Sequence, residues 1–187
     1  MQPTGYASSS KKNQRKWEKI VSAFMREDFE VLFTIQRTGT RGRIFALLVK
    51  ECFDLLGIAF KGEPIFSHVP VSTWYERFAK LHGLKLKLND FYNPDFLMED
   101  GSWVEITLSE NTAFKKLFRY AHQASNLFVI WLDSDIGLHK QVCQGVAFPN
   151  ATVRSMEWYY PQLERNAKGL DIIRKFEVLR EMKYDIL

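Results

Sequence analysis

Apolar positions along the chain recur with distinct periods, and those periods predict its elements. Trp17, Ile20, Val21 and Phe24 repeat at i, i+3, i+4 and i+7, which predicts an amphipathic helix over residues 11–26. Lys11, Lys12, Arg15, Lys16 and Lys19 occupy much of its remaining surface, and residues 1–10 read as a polar tail. Phe29–Ile35 fits a continuation of the helix or a strand equally well. After a break at Thr38–Gly42, a second helix is expected over 43–56, with Gly57 as its stop and a stripe of Ile44, Leu47, Leu48, Cys52 and Leu55. Residues 58–72 look extended, interrupted by Gly62, Pro64 and Pro70. A short helix over 72–81 follows, capped by Ser72 or Thr73 and ended at His82-Gly83.

The second half reads first as strands. Leu84–Leu88 alternates cleanly and leads to a turn at Asn89-Asp90. A hairpin is expected from residues 94–98 and 103–108, joined by a tight turn at Glu99-Asp100-Gly101-Ser102. Residues 112–123 read as a helix. Residues 126–132 (NLFVIWL) are nearly all apolar, as in a strand covered on both faces. A further strand is expected within 140–148 and a charged helix over 168–183. There is no internal repeat.

Composition narrows the class. At 187 residues, 46% hydrophobic and 26% charged, with 10 Gly and 6 Pro, the chain has globular rather than collagenous or disordered character. No apolar run reaches the ~18 residues of a membrane span, and no membrane partner is expected. The polar start, MQPTGYASSSKKNQRKWEK, lacks the apolar stretch of a signal peptide, so a cytoplasmic location is expected. Cys52 and Cys143 have no C-x-x-C spacing, which argues against a disulfide framework or structural zinc. Residues 1–50 hold ten Lys/Arg against four Asp/Glu, while the remainder holds sixteen against eighteen. That basic first quarter suits a polyanion contact or a merely solvated surface.

The stretch that carries chemistry is Asn93-Pro94-Asp95-Phe96-Leu97, then Asp100-Gly101, then Trp103-Val104-Glu105-Ile106-Thr107. Each hairpin strand delivers one carboxylate, Asp95 and Glu105, and pairing across the turn brings them near one another. Two such oxyanions are costly side by side unless a cation neutralises them. Hard oxygen ligands with open water positions suit Mg²⁺, which can bind a scissile phosphate and lower the pKa of a water. His68, His82, His122 and His139 are scattered without ligand spacing, and no phosphate-cradling glycine loop exists. Trp158-Tyr159-Tyr160 suits base stacking or packing of the last helix.

Over residues 41–135 this order of helix, strand, Pro94-Asp95 strand, turn, Glu105-x-x strand, helix and apolar strand resembles the PD-(D/E)XK nuclease superfamily. The resemblance implies an α/β, restriction endonuclease-like core, a mixed central sheet flanked by helices, with extra N- and C-terminal helices. It divides a single domain of 187 residues into a basic helical arm (1–40), a nuclease core (41–150) and a C-terminal helical extension (151–187). It implies Mg²⁺-dependent hydrolysis of double-stranded DNA, with Asp95 and Glu105 as metal ligands. Thr107 stands where the motif lysine belongs, a departure that leaves Lys115 or Lys116 on the next helix to supply the charge. Glu51, beside the apolar stripe of the 43–56 helix, is the candidate for the glutamate such nucleases often add from the first core helix. Lys116 and Gln123, seven apart, share a helix face.

Lys11, Lys12, Arg15, Lys16, Lys19, Arg41 and Arg43 are the expected DNA-binding residues. No dedicated base reader is visible. A single site of this type cuts one strand, so the chain is expected to work as the small cleavage subunit of a heterodimeric type IIS restriction endonuclease beside a larger DNA-recognition subunit, or else as a homodimer. A structure-selective junction or mismatch nuclease is a further reading. The competing class, which Thr107 allows, is a DNA-binding or assembly subunit that keeps the fold without the chemistry.

Overall fold

A computed structural model of the chain describes residues 2–6, 22–24, 26, 40–67, 73–81, 83, 91–108, 116–117, 119–121, 123–132 and 148–181. In chain order the elements are β1 (Gly5–Tyr6), α1 (Thr40–Leu55), β2 (Phe60–Gly62), β3 (Pro64–Ser67), α2 (Thr73–Leu81), β4 (Phe91–Tyr92), β5 (Phe96–Met98) and β6 (Trp103–Thr107). They continue with β7 (Leu127–Trp131), β8 (Ala151–Ser155), a 3₁₀ turn (Met156–Tyr159), α3 (Tyr160–Leu163) and α4 (Ala167–Glu181). Residues 116–117 and 119–120 are also helical, inside the expected 112–123 helix.

A five-stranded mixed sheet in the order β2-β5-β6-β7-β8 forms the centre. β2, β5 and β6 run antiparallel, with Lys61 opposite Leu97 and Leu97 opposite Trp103. β7 and β8 then run parallel to β6, with Glu105, Val129 and Val153 side by side. Parallel neighbours need a long crossover, and the segment holding helical residues 116–117 and 119–120 connects β6 to β7. A smaller antiparallel sheet, β1-β3-β4, lies beside it.

Helices cover both faces. On β6, Val104 and Ile106 point into a core with α1 and α4 (Phe45, Leu48, Val49, Phe53, Ile172, Phe176), where the Phe45 and Phe176 rings meet edge-on at 5.9 Å. Trp103 points the other way, into a second core with Leu97, Val129, Trp131, Leu117, Tyr120 and Ala121. Phe66 of the small sheet stacks on Trp103 at 4.4 Å, fixing β3 against the large sheet.

Local chemistry explains the ends of the helices. Gly57 (φ 67) closes α1: its N–H donates to the Asp54 carbonyl at 3.3 Å and the Ile58 N–H to the Phe53 carbonyl at 2.9 Å, the paired bonds of a Schellman stop. Asn166 caps α4 by accepting the Gly169 N–H at 2.9 Å. A Cβ at Gly169 would lie 1.9 Å from the Leu163 carbonyl oxygen, so the absence of a side chain lets α4 approach α3.

Several expectations are corrected. Gly5 and Tyr6 belong to a strand opposite Ile65 and Pro64 rather than to a tail, because Thr4–Tyr6 can satisfy the exposed edge of β3. The extended 58–72 stretch divides at Glu63 (φ 45) into strands of two different sheets. The boundary at 150 does not hold, since β8 is the edge strand of the central sheet and α4 packs on α1 inside the same core. Leu47, placed in the α1 stripe, is exposed, while Phe45, Val49 and Phe53 are buried: α1 is covered over a wider arc that is turned away from Leu47. The expected elements at 11–21, 29–35, 84–88 and 140–147 lie outside the described residues.

Candidate metal and nuclease site

The hairpin places its two carboxylates as the sequence order suggests. Between β5 and β6 the loop is Glu99-Asp100-Gly101: Met98 N–H donates to Ser102 O at 2.9 Å, and Gly101 N–H to Met98 O at 3.0 Å. Gly101 sits at φ 83, where only glycine is unstrained. The Ser102 N–H donates to Asp100 Oδ1 at 2.8 Å and holds that carboxyl below its ordinary range. This register sets Phe96 opposite Val104, so Asp95, just before β5, lies beside the Glu105–Ile106 segment. The Ile106 N–H donates to Asp95 Oδ2 at 2.8 Å.

Glu105 alternates with Val104 and Ile106 and therefore points to the Trp103 side of the sheet, where it is 1% exposed. Lys116 reaches down from the crossover on that same side. Its Nζ lies 3.2 Å from Asp95 Oδ2, donates to the Ile106 carbonyl at 2.8 Å and forms an ion pair with Glu105 Oε2. Burial pushes the Glu105 carboxyl up to about 8, helped by the Asp95 charge and opposed by Lys116. Burial also disfavours the Lys116 ammonium, but the Glu105 and Asp95 charges outweigh it and hold Lys116 above its ordinary value.

Of the two lysines expected to stand in for the one absent at 107, Lys116 lies against both carboxylates; Lys115 lies outside the described residues. Thr107 is buried on the Glu105 side of β6, opposite Trp131. Glu51 is not brought to the pair. α1 packs on the Val104–Ile106 face, while Glu105 occupies the opposite face, so the sheet stands between them. Among the described residues no group of three His, Cys, Asp or Glu side chains gathers.

The expected DNA-binding residues fare unevenly. Arg41 is a structural cap: its Nε donates to the Leu179 carbonyl at 2.9 Å and its guanidinium reaches the Arg180 carbonyl at 3.4 Å, closing the C-terminus of α4. Arg43 is exposed. Lys11, Lys12, Arg15, Lys16 and Lys19 lie outside the described residues. Trp158 is half exposed with the Arg154 guanidinium 3.8 Å from its ring centre, whereas Tyr159 is buried. Gln123 is half-buried on the crossover, and no helix is long and apolar enough to cross a membrane among the described residues.

Tyr120 stands four residues after Lys116, a spacing that signals a shared helix face. Its ring packs on Trp103 and Tyr92 at 5.9 and 5.8 Å, and its hydroxyl donates to the Asn93 carbonyl at 3.4 Å, two residues before Asp95. Burial and the nearby Glu105 push this phenol well above its ordinary range.

The donor set fits a hard divalent cation. Glu105 brings a buried carboxyl group held against the Lys116 ammonium, and the neighbouring Asp95 side chain is 33% exposed. Two carboxylate oxygens with room for waters suit Mg²⁺, which dehydrates reluctantly. Comparison with protein-family models, curated proteins and solved structures returns no match for this chain.

Proposed function

We propose that the chain is a Mg²⁺-dependent nuclease that hydrolyses DNA phosphodiester bonds with Asp95, Glu105 and Lys116. The observation that carries the reading is the Lys116 ammonium set between the two hairpin carboxylates. The order α1, β2, β5, β6, helical crossover and parallel β7 supports it as well, being the element order of the PD-(D/E)XK nucleases that the sequence resembles.

Asp95 and Glu105 would hold Mg²⁺, which would supply positive charge for the scissile phosphate and for ionisation of an attacking water. Lys116 carries a proton throughout the neutral range, so it serves as a fixed positive donor rather than a base. Pinned by the Ile106 carbonyl, its ammonium is pre-oriented toward charge that develops on the phosphate. Tyr120 and the Ile106 N–H keep the Asp95 segment in register with Glu105. One such site cuts one strand, and a double-strand break needs a second, from a sequence-reading partner or another copy of the chain.

Cleavage of duplex DNA in Mg²⁺, with and without EDTA, tests the reading. Asp95→Ala, Glu105→Ala and Lys116→Met should each lower the rate by about 10²-fold or more, the scale for losing one charged transition-state contact. Undiminished cleavage by any of these variants would remove that residue from the site. A wild-type chain inert on duplex, junction and mismatched DNA, alone and mixed with a candidate partner, would overturn the proposal.

A further inference from the structure

We propose that Arg119 anchors a DNA backbone phosphate next to the one that is hydrolysed, an inference that rests on the nuclease reading above. Arg119 lies three residues after Lys116, on the same helical turn of the crossover, where side chains start about 5–6 Å apart. Its guanidinium carbon sits 5.7 Å from the Tyr92 ring centre and 5.4 Å from that of Tyr120. The two rings are buried and meet at 69°, so they form a rigid corner. Tyr92 stands three residues before Asp95, and Tyr120 reaches back to Asn93, so the corner is built from the backbone that delivers the carboxylates.

Charge and shape point to the same ligand. With every group ionised and no metal bound, Asp95 and Glu105 against Lys116 leave one formal negative charge, and Arg119 adds a positive charge one helical turn from Lys116. A guanidinium lying against aromatic faces keeps its charge and loses little freedom on binding, and its planar fork matches two phosphate oxygens. A lysine held only by solvent would have neither property.

The salt dependence of DNA affinity gives the test, read by fluorescence anisotropy on a labelled short duplex, with Ca²⁺ in place of Mg²⁺. Loss of one phosphate contact should reduce the slope of log K against log salt by about 0.9 in Arg119→Ala. Arg119→Lys should keep the slope but bind several-fold more weakly, because an ammonium does not use the ring corner or the fork. Arg119→Gln keeps the side-chain stem over the rings and should match the alanine slope, which covers any loss of folding by the smaller variant. Wild-type slopes in both the alanine and glutamine variants would overturn the proposal. If the wild type cleaves DNA and those slopes are unchanged, the anchor falls and the nuclease reading stands. If the slope drops but no DNA is cut, either alone or with a candidate partner, the nuclease reading falls while the phosphate contact remains.

Discussion

Replacing Glu105 by glutamine tests the electrostatics of the buried site separately from its shape. The wild-type carboxyl goes from an ordinary 4.5 to about 8 on folding, first through desolvation and then through Asp95. Between those values the folded chain binds more protons than the unfolded one, so the group's contribution to stability falls as pH rises. A pH unit well inside that window is worth about 1.4 kcal/mol and less near its ends, so from about pH 5 to about pH 8 the wild type should lose about 3 kcal/mol relative to Glu105→Gln. In the wild type Lys116 adds no slope over this range, because its contribution is retained until pH rises past a folded value above that of an ordinary lysine. Urea unfolding of both proteins in EDTA across that range measures the difference directly. Added Mg²⁺ should then restore the wild type alone, by about 2.7 kcal/mol at a hundredfold excess over its Kd, since only the wild type offers both carboxylates. Parallel pH profiles for the two proteins would refute the claim that Glu105 is an ionisable acid held out of water.

Three further outcomes are expected. Gly169→Ala should cost about 3 kcal/mol in urea unfolding, as its Cβ would meet the Leu163 carbonyl oxygen at 1.9 Å and carbon at 2.6 Å, both backbone atoms that give way poorly. Cys52 is buried and its thiol is pushed up to about 12 by desolvation, so in a Cys143→Ser background a thiol reagent should label nothing until the chain unfolds. Arg41→Ala should lower stability by about 1 kcal/mol for the lost bonds to the Leu179 and Arg180 carbonyls, yet leave the salt slope of DNA binding unchanged, since this arginine caps a helix.

Features that depend on neighbours in sequence were legible without coordinates. The strand run around Glu105, the Asp100-Gly101 turn and the apolar run at 127–131 are local, and each became the expected hairpin or buried strand. Gly57 and the short helix at 73–81 were readable for the same reason. Tertiary structure decided everything that depends on which face meets which. A strand's period says that Glu105 opposes Val104, but only packing sends Val104 toward α1 and Glu105 toward Lys116. That choice selects Lys116 for the ammonium and removes Glu51, whose helix lies across the sheet. Likewise, only the fold turns Arg41 into a cap for a helix end 138 residues away. Only parallel pairing with β7 draws residues 151–155 into the sheet. The reason is physical: a residue's own element is set by dihedral preference and period over a few neighbours. A charge's partner is set by long-range burial, where an unpaired ion is too costly to keep and whichever opposite charge reaches it becomes the site.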